Sequence, residues 1–329
     1  MEADDPVTLQ IPLTVDAARD GFRLDRFLVS RITRLSRTRI QEIVAAGRVR
    51  RADTGEVLLR PALRLRAGEA LIIERPAPVE PPVVMDYAVL HADEALLVLD
   101  KPAGLPVHPS ARYHRHTLTQ LLRTRLGAGH GWEMAHRLDR ETSGVMVLGR
   151  RGGSARTLKH AFSVREVEKV YWALCRGCLM EQVRIDMPLG PAKGSAIRVK
   201  MGPRALDDDG QTAATIVRPL AFGEHRGVKI SLVEARPETG RQHQIRVHLA
   251  ELGYPLLGDK LYGIAEEKFL AIVEGGRPIA ELEAELGLGR HALHAASLTL
   301  THPTEGQRRC FTAPWPADLA EILAITPRP

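Results

Sequence analysis

Features that would place the protein in a secreted, membrane-bound or disulfide-rich class are missing from the sequence. Three cysteines in 329 residues are too few for a disulfide framework. No run of about eighteen uncharged apolar residues occurs, so a transmembrane helix is not expected. The acidic N-terminal stretch also lacks the basic and then apolar profile of a signal peptide. We therefore expect a cytoplasmic protein that has no membrane partner.

Motifs for the common cofactors are missing as well. The sequence contains no G-x-x-x-x-G-K-[ST] phosphate-binding string and no convincing dinucleotide-binding G-x-G-x-x-G unit. Cys175 and Cys178 form a C-x-x-C pair, but no second pair follows, and a structural zinc needs four well-placed ligands. The histidines between His108 and His136 match no metal-ligand spacing. We therefore predict no cofactor and no metal.

Positive charge is concentrated in one part of the chain. The formal net charge is +6, and residues 21–70 alone hold twelve arginines, no lysine and five acidic residues. Because arginine binds phosphate in a bidentate manner and stacks on nucleobases, this surplus indicates a polyanionic partner. A solvated basic face is the alternative, and the lopsided excess makes it the weaker interpretation.

Length and patterning indicate two domains. A chain of 329 residues is long for a single core, and the string PAPVEPP at 76–82 is stiff and extended. We predict an N-terminal extension at 1–21, a small domain at 22–75, a Pro-rich linker at 76–83 and a larger domain at 84–329. In the small domain, helical spacing and N-capping predict two helices, with short strands near residue 49 and at 71–73.

The larger domain shows short apolar strands with helices between them, in an irregular order typical of an α+β fold built on a mixed sheet. Strands are predicted at 96–99, 145–148, 170–176, 213–218 and 228–234, and helices at 118–126, 154–162 and 243–252. The segment 264–288 reads as helical with a Gly-Gly-Arg-Pro break. We interpret it as an insertion or surface addition.

The most informative string is HRLDRETSGVMVLGR at 136–150, which places Asp139 on a polar turn before a buried strand. Such an arrangement can fix a reactive carboxylate, although an Asp followed by Thr142 and Ser143 can also be a turn or helix cap. As a string it resembles the active-site motif of the RluA-type family of RNA pseudouridine synthases. The resemblance implies that Asp139 is the catalytic residue. It also implies that Arg137 fills the gap left by a flipped-out base.

Two further blocks resemble the same family. The string KPAGLPVH, which starts at Lys101, is similar to its first motif, and a sharp Pro-Gly turn there suits a position near a ligand. The strand at 169–174 resembles the one whose tyrosine stacks on the target base. That role falls to Tyr171, with a buried core tyrosine as the alternative.

The string ETGRQHQIRVHL at 238–249 resembles the family's third motif. The resemblance implies that Arg246 pairs with the catalytic Asp and that Ile245 packs under the base. An ordinary helix salt bridge is the alternative for Arg246. From the residues we predict that a helix here carries Arg241, His243, Arg246 and His248. Together with the helix N-terminus, these basic residues form an anion site, at which we expect Arg241 and His243 to bind RNA.

The small domain resembles an S4-type RNA-binding domain in the strings at 23–28, 36–37, 47–49 and 66–69. The residues that we predict to bind RNA in this domain are Arg26, Ser36, Arg37, Arg39 and Arg48. One departure from the pattern occurs directly after Val49, where RRAD replaces the usual Asn-Gly. The strand turn is therefore different here.

The reaction that the resemblance implies is isomerisation of uridine to pseudouridine within RNA, which needs no redox partner or energy source. The implied partner is large-subunit (23S) ribosomal RNA or the pre-ribosomal large subunit, and the chain is expected to be a monomer. Transfer RNA is the alternative substrate. A non-catalytic RNA-binding factor for ribosome assembly is the alternative function. The role of the catalytic Asp, whether attack on C1′, addition to the base or removal of a sugar proton, stays open.

Overall fold

The computed structural model describes residues 8–32, 35–76, 80–110, 112–274 and 279–323. The chain forms two compact units, Met1–Val79 and Glu80–Pro329. Their boundary falls inside the linker predicted at 76–83. Among the described residues, no helix combines the length and the apolar content that crossing a membrane requires.

The first unit combines two helices with a three-stranded antiparallel sheet of order β1-β3-β2. Its strands and α-helices are β1 (Thr8–Thr14), α1 (Leu24–Arg31), α2 (Arg37–Ala45), β2 (Val49–Arg51) and β3 (Ala70–Pro76). The two predicted helices and the strands near residues 49 and 71–73 are thereby confirmed.

Strand β1 lies within the predicted N-terminal extension 1–21 and pairs with β3 along its whole length. The physical reason is visible in its sequence, where Leu9, Ile11 and Leu13 alternate with other residues at the period of a strand. Ile11 and Leu13 pack against the core of the first unit, which includes Phe27 of α1 and Ile73 of β3. Residues 8–14 of the predicted extension are therefore part of this unit's sheet.

The second unit has its strands and helices in mixed order. They are β4 (Ala88–Ala92), β5 (Leu96–Lys101), α3 (Leu118–Leu126), β6 (Trp132–Met134), β7 (Ser143–Arg150), α4 (Gly153–Ser163), β8 (Glu168–Arg176), β9 (Val183–Asp186), β10 (Leu189–Pro191), β11 (Met201–Pro203), β12 (Ala214–His225), β13 (Val228–Pro237), α5 (Gln244–Glu251), α6 (Glu266–Glu274), α7 (Ile279–Leu286), β14 (Leu293–Thr301), β15 (Arg308–Thr312) and α8 (Ala317–Ala320).

A mixed sheet forms the centre of the second unit, in the order β4-β5-β7-β14-β8-β13-β12-β9. Strand β15 pairs with β14 and β6 with β7, while β10 and β11 form a separate two-stranded sheet. The β7–β14 pair is parallel, and the neighbouring pairs are antiparallel. The predicted α+β fold on a mixed sheet is confirmed, and so are the predicted strands and helices between 96 and 252, except for the start of the last helix.

The parallel pair β7–β14 places the start of β7 against the start of β14. Gly144 has φ +110°, and a Cβ at this position would lie 2.2 Å from the carbonyl oxygen of Ala295, so the close approach requires glycine. The flanking Ser143 hydroxyl bonds His294 Nδ1 at 2.9 Å, and the Thr142 hydroxyl bonds His291 Nε2 at 2.8 Å. These contacts fix the end of the turn that carries Asp139.

The segment predicted as an insertion forms helices α6 and α7, and its Gly-Gly-Arg-Pro break lies at 275–278, outside the described residues. Strands β4, β6, β9, β10, β11, β14 and β15 were not among the predicted elements of this unit. Most of them have three to five residues, which give too few alternations for a period to show. Strand β14 is longer, but it is buried along most of its length and therefore does not alternate.

Candidate active site

Asp139 lies on the turn between β6 and β7, and backbone contacts hold this turn. Thr142 N donates to Asp139 O at 3.2 Å, and Gly104 N donates to Arg140 O at 2.8 Å. Within the described part of the chain, the Asp139 carboxylate accepts its hydrogen bond from Arg246 and none from a backbone N–H. The alternative of a turn or helix cap therefore does not describe this side chain, whose carboxylate faces a pocket.

Lys101 ties the turn to the end of β5. Its ammonium group is fully buried and donates to the carbonyl oxygens of Pro102, Leu105 and Arg140 at 2.9, 3.0 and 3.1 Å. Burial lowers the pKa of Lys101 to about 7, while the Asp139 carboxylate acts in the opposite direction. In its protonated form, Lys101 thus has three N–H donors for three carbonyl acceptors, one of them on the residue that follows Asp139.

Arg246 of α5 joins Asp139 to a second carboxylate. Its Nη1 lies 3.1 Å from Asp139 Oδ2, and its Nε and Nη2 form a bidentate pair with Asp259 at 2.7 and 2.9 Å. The Asp259 side chain is fully buried, whereas that of Asp139 is 20% exposed. Bidentate pairing leaves the guanidinium plane little freedom, so Asp259 sets the direction in which Arg246 meets Asp139.

Asp259 is itself held by backbone groups. Its Oδ1 accepts hydrogen bonds from Leu261 N at 2.9 Å and Tyr262 N at 3.1 Å. The Arg246 guanidinium and these two amides hold the pKa of the Asp259 carboxyl below its usual range, although burial acts in the opposite direction. Asp259 and the backbone of the residues that follow it therefore hold Arg246 in place.

Apolar and aromatic side chains line the same pocket. They are Leu138, Tyr171 of β8, Ile245 of α5 and Leu293 of β14. Burial raises the pKa of Tyr171, and the charge on Asp139 adds to this effect. In the part of the chain that the structure describes, the Tyr171 hydroxyl has no hydrogen-bond partner. Trp172, the next residue, lies in a different core cluster, as expected for the opposite face of a strand.

Basic residues surround the pocket. Arg137 is exposed at its edge, and its guanidinium makes no hydrogen bond or ion pair with the described residues. Arg241 lines the pocket and donates from Nε to Thr212 O at 3.1 Å. Lys169 donates to Thr239 O at 2.9 Å, and burial lowers its pKa to about 8.

The predicted helix at the third motif needs one correction. Helix α5 begins at Gln244, so Arg241 and His243 precede it and do not lie on it. His243 has a left-handed backbone with φ +55°, and the side chain of Gln244 accepts from Arg241 N at 3.0 Å. Burial also lowers the pKa of His243 to about 4, so this residue is a neutral group in the pocket near pH 7.

The predicted RNA-binding residues of the first unit differ in their contacts. Ser36 caps α2, Arg37 pairs with the buried Asp25 at 3.0 Å, and Arg39 pairs with Glu42 at 2.6 Å. The Arg26 guanidinium lies 4.4 Å from the centre of the Phe22 ring. Arg48 is exposed, and its side chain has no partner among the described residues. Three of the five thus also have a structural role.

One group of side chains outside the pocket has the composition of a metal site. Potential ligand atoms of His91, Asp93 and His302 lie within 4.8 Å of one another. However, both imidazoles bind the same oxygen, Asp93 Oδ2, at 2.6 and 3.0 Å. Asp93 Oδ1 accepts from the amides of Ala95 and Leu96, both at 2.8 Å. Hydrogen bonds therefore satisfy this carboxylate, and they link the β4–β5 turn to the end of β14.

This chain resembles known proteins over the part of the sequence that contributes most of the pocket. Residues 95–251, which include both Asp139 and Arg246, match the family model described as RNA pseudouridylate synthase. A protein of Chloroflexus aurantiacus named as an uncharacterized RNA pseudouridine synthase is 36% identical, over 98% of this chain and 94% of its own length. The chain belongs to the RluA-type family of RNA pseudouridine synthases. Its activity is thus the isomerisation of uridine to pseudouridine in RNA.

Two further relatives extend the comparison. The ribosomal large subunit pseudouridine synthase D of Zymomonas mobilis is 33% identical, over 97% of both chains. Among solved structures, human RNA pseudouridylate synthase domain containing 1 is 27% identical with a TM-score of 0.57, over 75% of this chain and 90% of its own. The sequence match to the Zymomonas mobilis protein spans nearly the whole chain. The match to the human structure covers three quarters of it.

Proposed function

We propose that this enzyme converts specific uridines of large-subunit ribosomal RNA into pseudouridine, with Asp139 as its catalytic residue. The observation that carries the proposal is the pairing of a partly exposed Asp139 with Arg246, which Asp259 holds from the buried side. The names of several relatives specify the ribosomal large subunit. The arginine surplus of the first unit supports a large structured RNA as the partner.

The reaction breaks the N1–C1′ bond of uridine and joins C5 to C1′ after the uracil has turned. A proton leaves C5 and one is gained at N1, so no atom is added or lost overall. A uridine within folded RNA must first be flipped into a pocket, and unstacking costs a few kcal/mol. We assign Arg137 to the space that the base leaves, because this side chain lies free at the edge of the pocket.

The pocket offers each group that the flipped uridine needs. Asp139 supplies the reacting carboxylate, and Arg246 orients it at 3.1 Å. Tyr171 and Ile245 provide the surface on which the uracil ring lies. Such side chains stack on the face of a base and do not depend on the hydrogen-bonding groups at its edge. Arg241 contacts the RNA backbone at the side of the pocket next to α5.

The first unit binds RNA in the manner of an S4-type domain in this proposal. Of the five predicted residues, Arg26 and Arg48 are exposed and have no carboxylate partner among the described residues, so their guanidinium groups are available to bind phosphate. Ser36, Arg37 and Arg39 contribute both to the fold of α2 and to the basic surface.

The test is pseudouridine mapping of total RNA from cells that lack the gene, incubated with purified wild type or with Asp139→Ala. The proposal predicts new pseudouridines in large-subunit ribosomal RNA with the wild type alone. Sites confined to transfer RNA would overturn the substrate assignment and keep the catalytic one. Equal modification by both proteins would overturn the role of Asp139. Pre-ribosomal particles and mature RNA should both be offered, since the target uridine can be buried after assembly.

A further inference from the structure

His243 occupies a position beside the reacting carboxylate that the proposed roles do not yet use. It directly precedes α5, and its φ of +55° is a backbone conformation that side-chain-bearing residues rarely adopt. Its side chain lines the pocket with Asp139, Tyr171 and Ile245. The Nε2 atom lies 3.9 Å from Asp139 Oδ2, which is too far for a hydrogen bond between the two but leaves room for a substrate atom beside both.

The hydrogen bonds on the far side of the ring define its tautomer. Tyr262 Oη accepts from Met201 N at 3.0 Å and lies 2.8 Å from His243 Nδ1. The backbone amide occupies one lone pair of the hydroxyl oxygen, and donation of the hydroxyl proton to Nδ1 then satisfies both the hydroxyl and this ring nitrogen. The ring proton of a neutral His243 is then on Nε2, which faces the pocket.

Electrostatics around the ring supports the same assignment. The charged groups that act on His243 are Asp139, Arg246, Asp259 and Arg137. Burial outweighs the two carboxylates and lowers the pKa of the imidazole to about 4, so it is neutral at pH 7. With the opposite tautomer, the lone pair of Nε2 would face the carboxylate of Asp139, which is unfavourable.

We infer that His243 is a catalytic residue that donates a hydrogen bond from Nε2–H to a carbonyl oxygen of the uracil while its glycosidic bond is broken. Cleavage of the N1–C1′ bond leaves the electron pair on N1, and the negative charge spreads to O2 and O4. A fixed neutral donor stabilises such charge without a proton transfer. The inference rests on the proposed role of Asp139, because a carboxylate at C1′ brings N1 and the adjacent O2 next to His243.

The geometry of the turning base makes one donor sufficient for both half-reactions. Rotation of uracil by half a turn about the line through N3 and C6 exchanges N1 with C5 and O2 with O4. A donor that meets O2 of the bound uridine therefore meets O4 of the base once C5 faces C1′. The substrate class is thus a pyrimidine with carbonyl oxygens at both positions, and an amino group in place of O4, as in cytidine, would oppose Nε2–H after the turn.

The first test is the tautomer itself, measured by proton–nitrogen correlation spectra of histidine-labelled full-length protein. His243→Gln identifies the His243 signals by their loss. The inference predicts that at pH 7 Nε2 carries the proton and Nδ1 does not, and that Tyr262→Phe weakens this preference. A ring protonated on Nδ1 at pH 7, alone or together with Nε2, would overturn it.

The second test is the single-turnover rate on an RNA fragment with one target uridine, or with 2-thiouridine at that position, because sulfur accepts hydrogen bonds poorly. With uridine, His243→Ala is expected to be about 100-fold slower at unchanged RNA affinity, and His243→Gln, which keeps an N–H donor, to lose less than about tenfold. With 2-thiouridine, the loss from His243→Ala should shrink to a few fold. Equal losses on both substrates, or no loss on either, would overturn the inference.

The same assay separates this inference from the proposed function. Wild type and Asp139→Asn are included as references on the uridine substrate. A wild type that forms product while Asp139→Asn also forms product contradicts the role of Asp139, whatever His243 does. An inactive Asp139→Asn beside a fully active His243→Ala contradicts only the inference.

Discussion

The two units of the chain carry their positive charge in different forms. Met1–Val79 contains fourteen arginines but no lysine and no histidine, whereas Glu80–Pro329 holds all eight lysines and all thirteen histidines. The first unit presents Arg26 and Arg48 at its surface without a carboxylate partner among the described residues. The second buries Arg246 between two carboxylates.

This difference matches two physical tasks. Exposed arginines remain charged at any physiological pH and adapt to phosphates, which suits affinity that depends on many weak contacts. A buried guanidinium that forms a bidentate pair with a carboxylate has one orientation. Such a group can hold a reacting side chain in place to within a fraction of an ångström. We therefore assign RNA affinity largely to the first unit and the chemical step to the pocket of the second.

Asp259→Asn is expected to have the largest effect among changes outside the reacting groups. Asp259 holds Arg246 and lies in the interior, and removing one partner of a buried ion pair costs about 3 kcal/mol or more of unfolding free energy. Misplacement of Arg246 should also lower turnover about 100-fold. Urea unfolding and single-turnover assays measure the two effects. Asp86→Asn, which removes an exposed ion pair with Arg125, is the matched control. Wild-type turnover in Asp259→Asn would contradict the proposal that Asp259 positions Arg246 for the reaction.

Arg137→Ala should reduce turnover about tenfold or more while RNA affinity changes little. The reason is that Arg137 acts on the flipped state in this account, whereas phosphate contacts elsewhere dominate affinity. Fluorescence of a base analogue next to the target uridine reports flipping, and a filter-binding titration reports affinity. Arg151→Ala, at an exposed arginine paired with Glu133, serves as the control. Unimpaired flipping in Arg137→Ala would contradict the assignment.

The double change Arg26→Ala and Arg48→Ala should weaken RNA binding and leave turnover at saturating RNA unchanged. Each lost phosphate contact reduces the slope of log affinity against log salt by about 0.7 to 0.9. Titrations at several salt concentrations measure the slope, with Arg308→Ala in the second unit as a control. An unchanged slope would show that these arginines do not meet phosphate, and the contrast between the units would lose its basis.

The histidine distribution predicts a pH-dependent difference in stability between the units. Burial lowers the pKa of His136 and His294 in the second unit to about 4, below the ordinary value of 6.5. As the pH falls from 6.5 to 4, the unfolded chain therefore binds protons that the folded chain does not. The unfolding free energy should fall by up to about 1.4 kcal/mol per pH unit for each such group.

Hydrogen exchange at pH 7 and pH 5 can locate this effect. Amides of the second unit should lose protection at the lower pH, whereas those of the first unit, which has no histidine, should keep it. The first unit contains the buried Asp25, whose pKa is lowered by Arg23 and Arg37. Its contribution to stability is lost only as the pH falls below the ordinary pKa of a carboxyl group, which is below the pH range of this experiment. Equal loss of protection in both units would refute the prediction.

The sequence predicts helix α3 and the long strands β7, β8 and β13, because each is long enough for its pattern of apolar residues to show. It does not predict β1, although Leu9, Ile11 and Leu13 alternate, because the pairing partner β3 lies about sixty residues away and is not marked in the string itself. Short strands such as β10 and β11 depend on tertiary pairing, which overrides local propensity.

For the site, the family resemblance selected Asp139, Tyr171, Ile245 and Arg246, and these four residues line one pocket. The support by Asp259 and the three-carbonyl contact of Lys101 depend on side-chain geometry that no spacing reveals. The position of His243 depends on a left-handed backbone just before α5, where the pattern continues the helix. These residues act through orientation and burial, which exist only in the folded chain.

The role of Asp139 can be tested by the turnover of Asp139→Asn on an RNA that the wild type modifies, with RNA affinity and circular dichroism measured on the same preparation. The substitution keeps the size of the side chain and removes its negative charge. We expect an intact fold, RNA binding within about twofold of the wild type, and no detectable pseudouridine. Pseudouridine formed at a measurable rate by the folded variant would contradict the assignment of Asp139 as the catalytic residue.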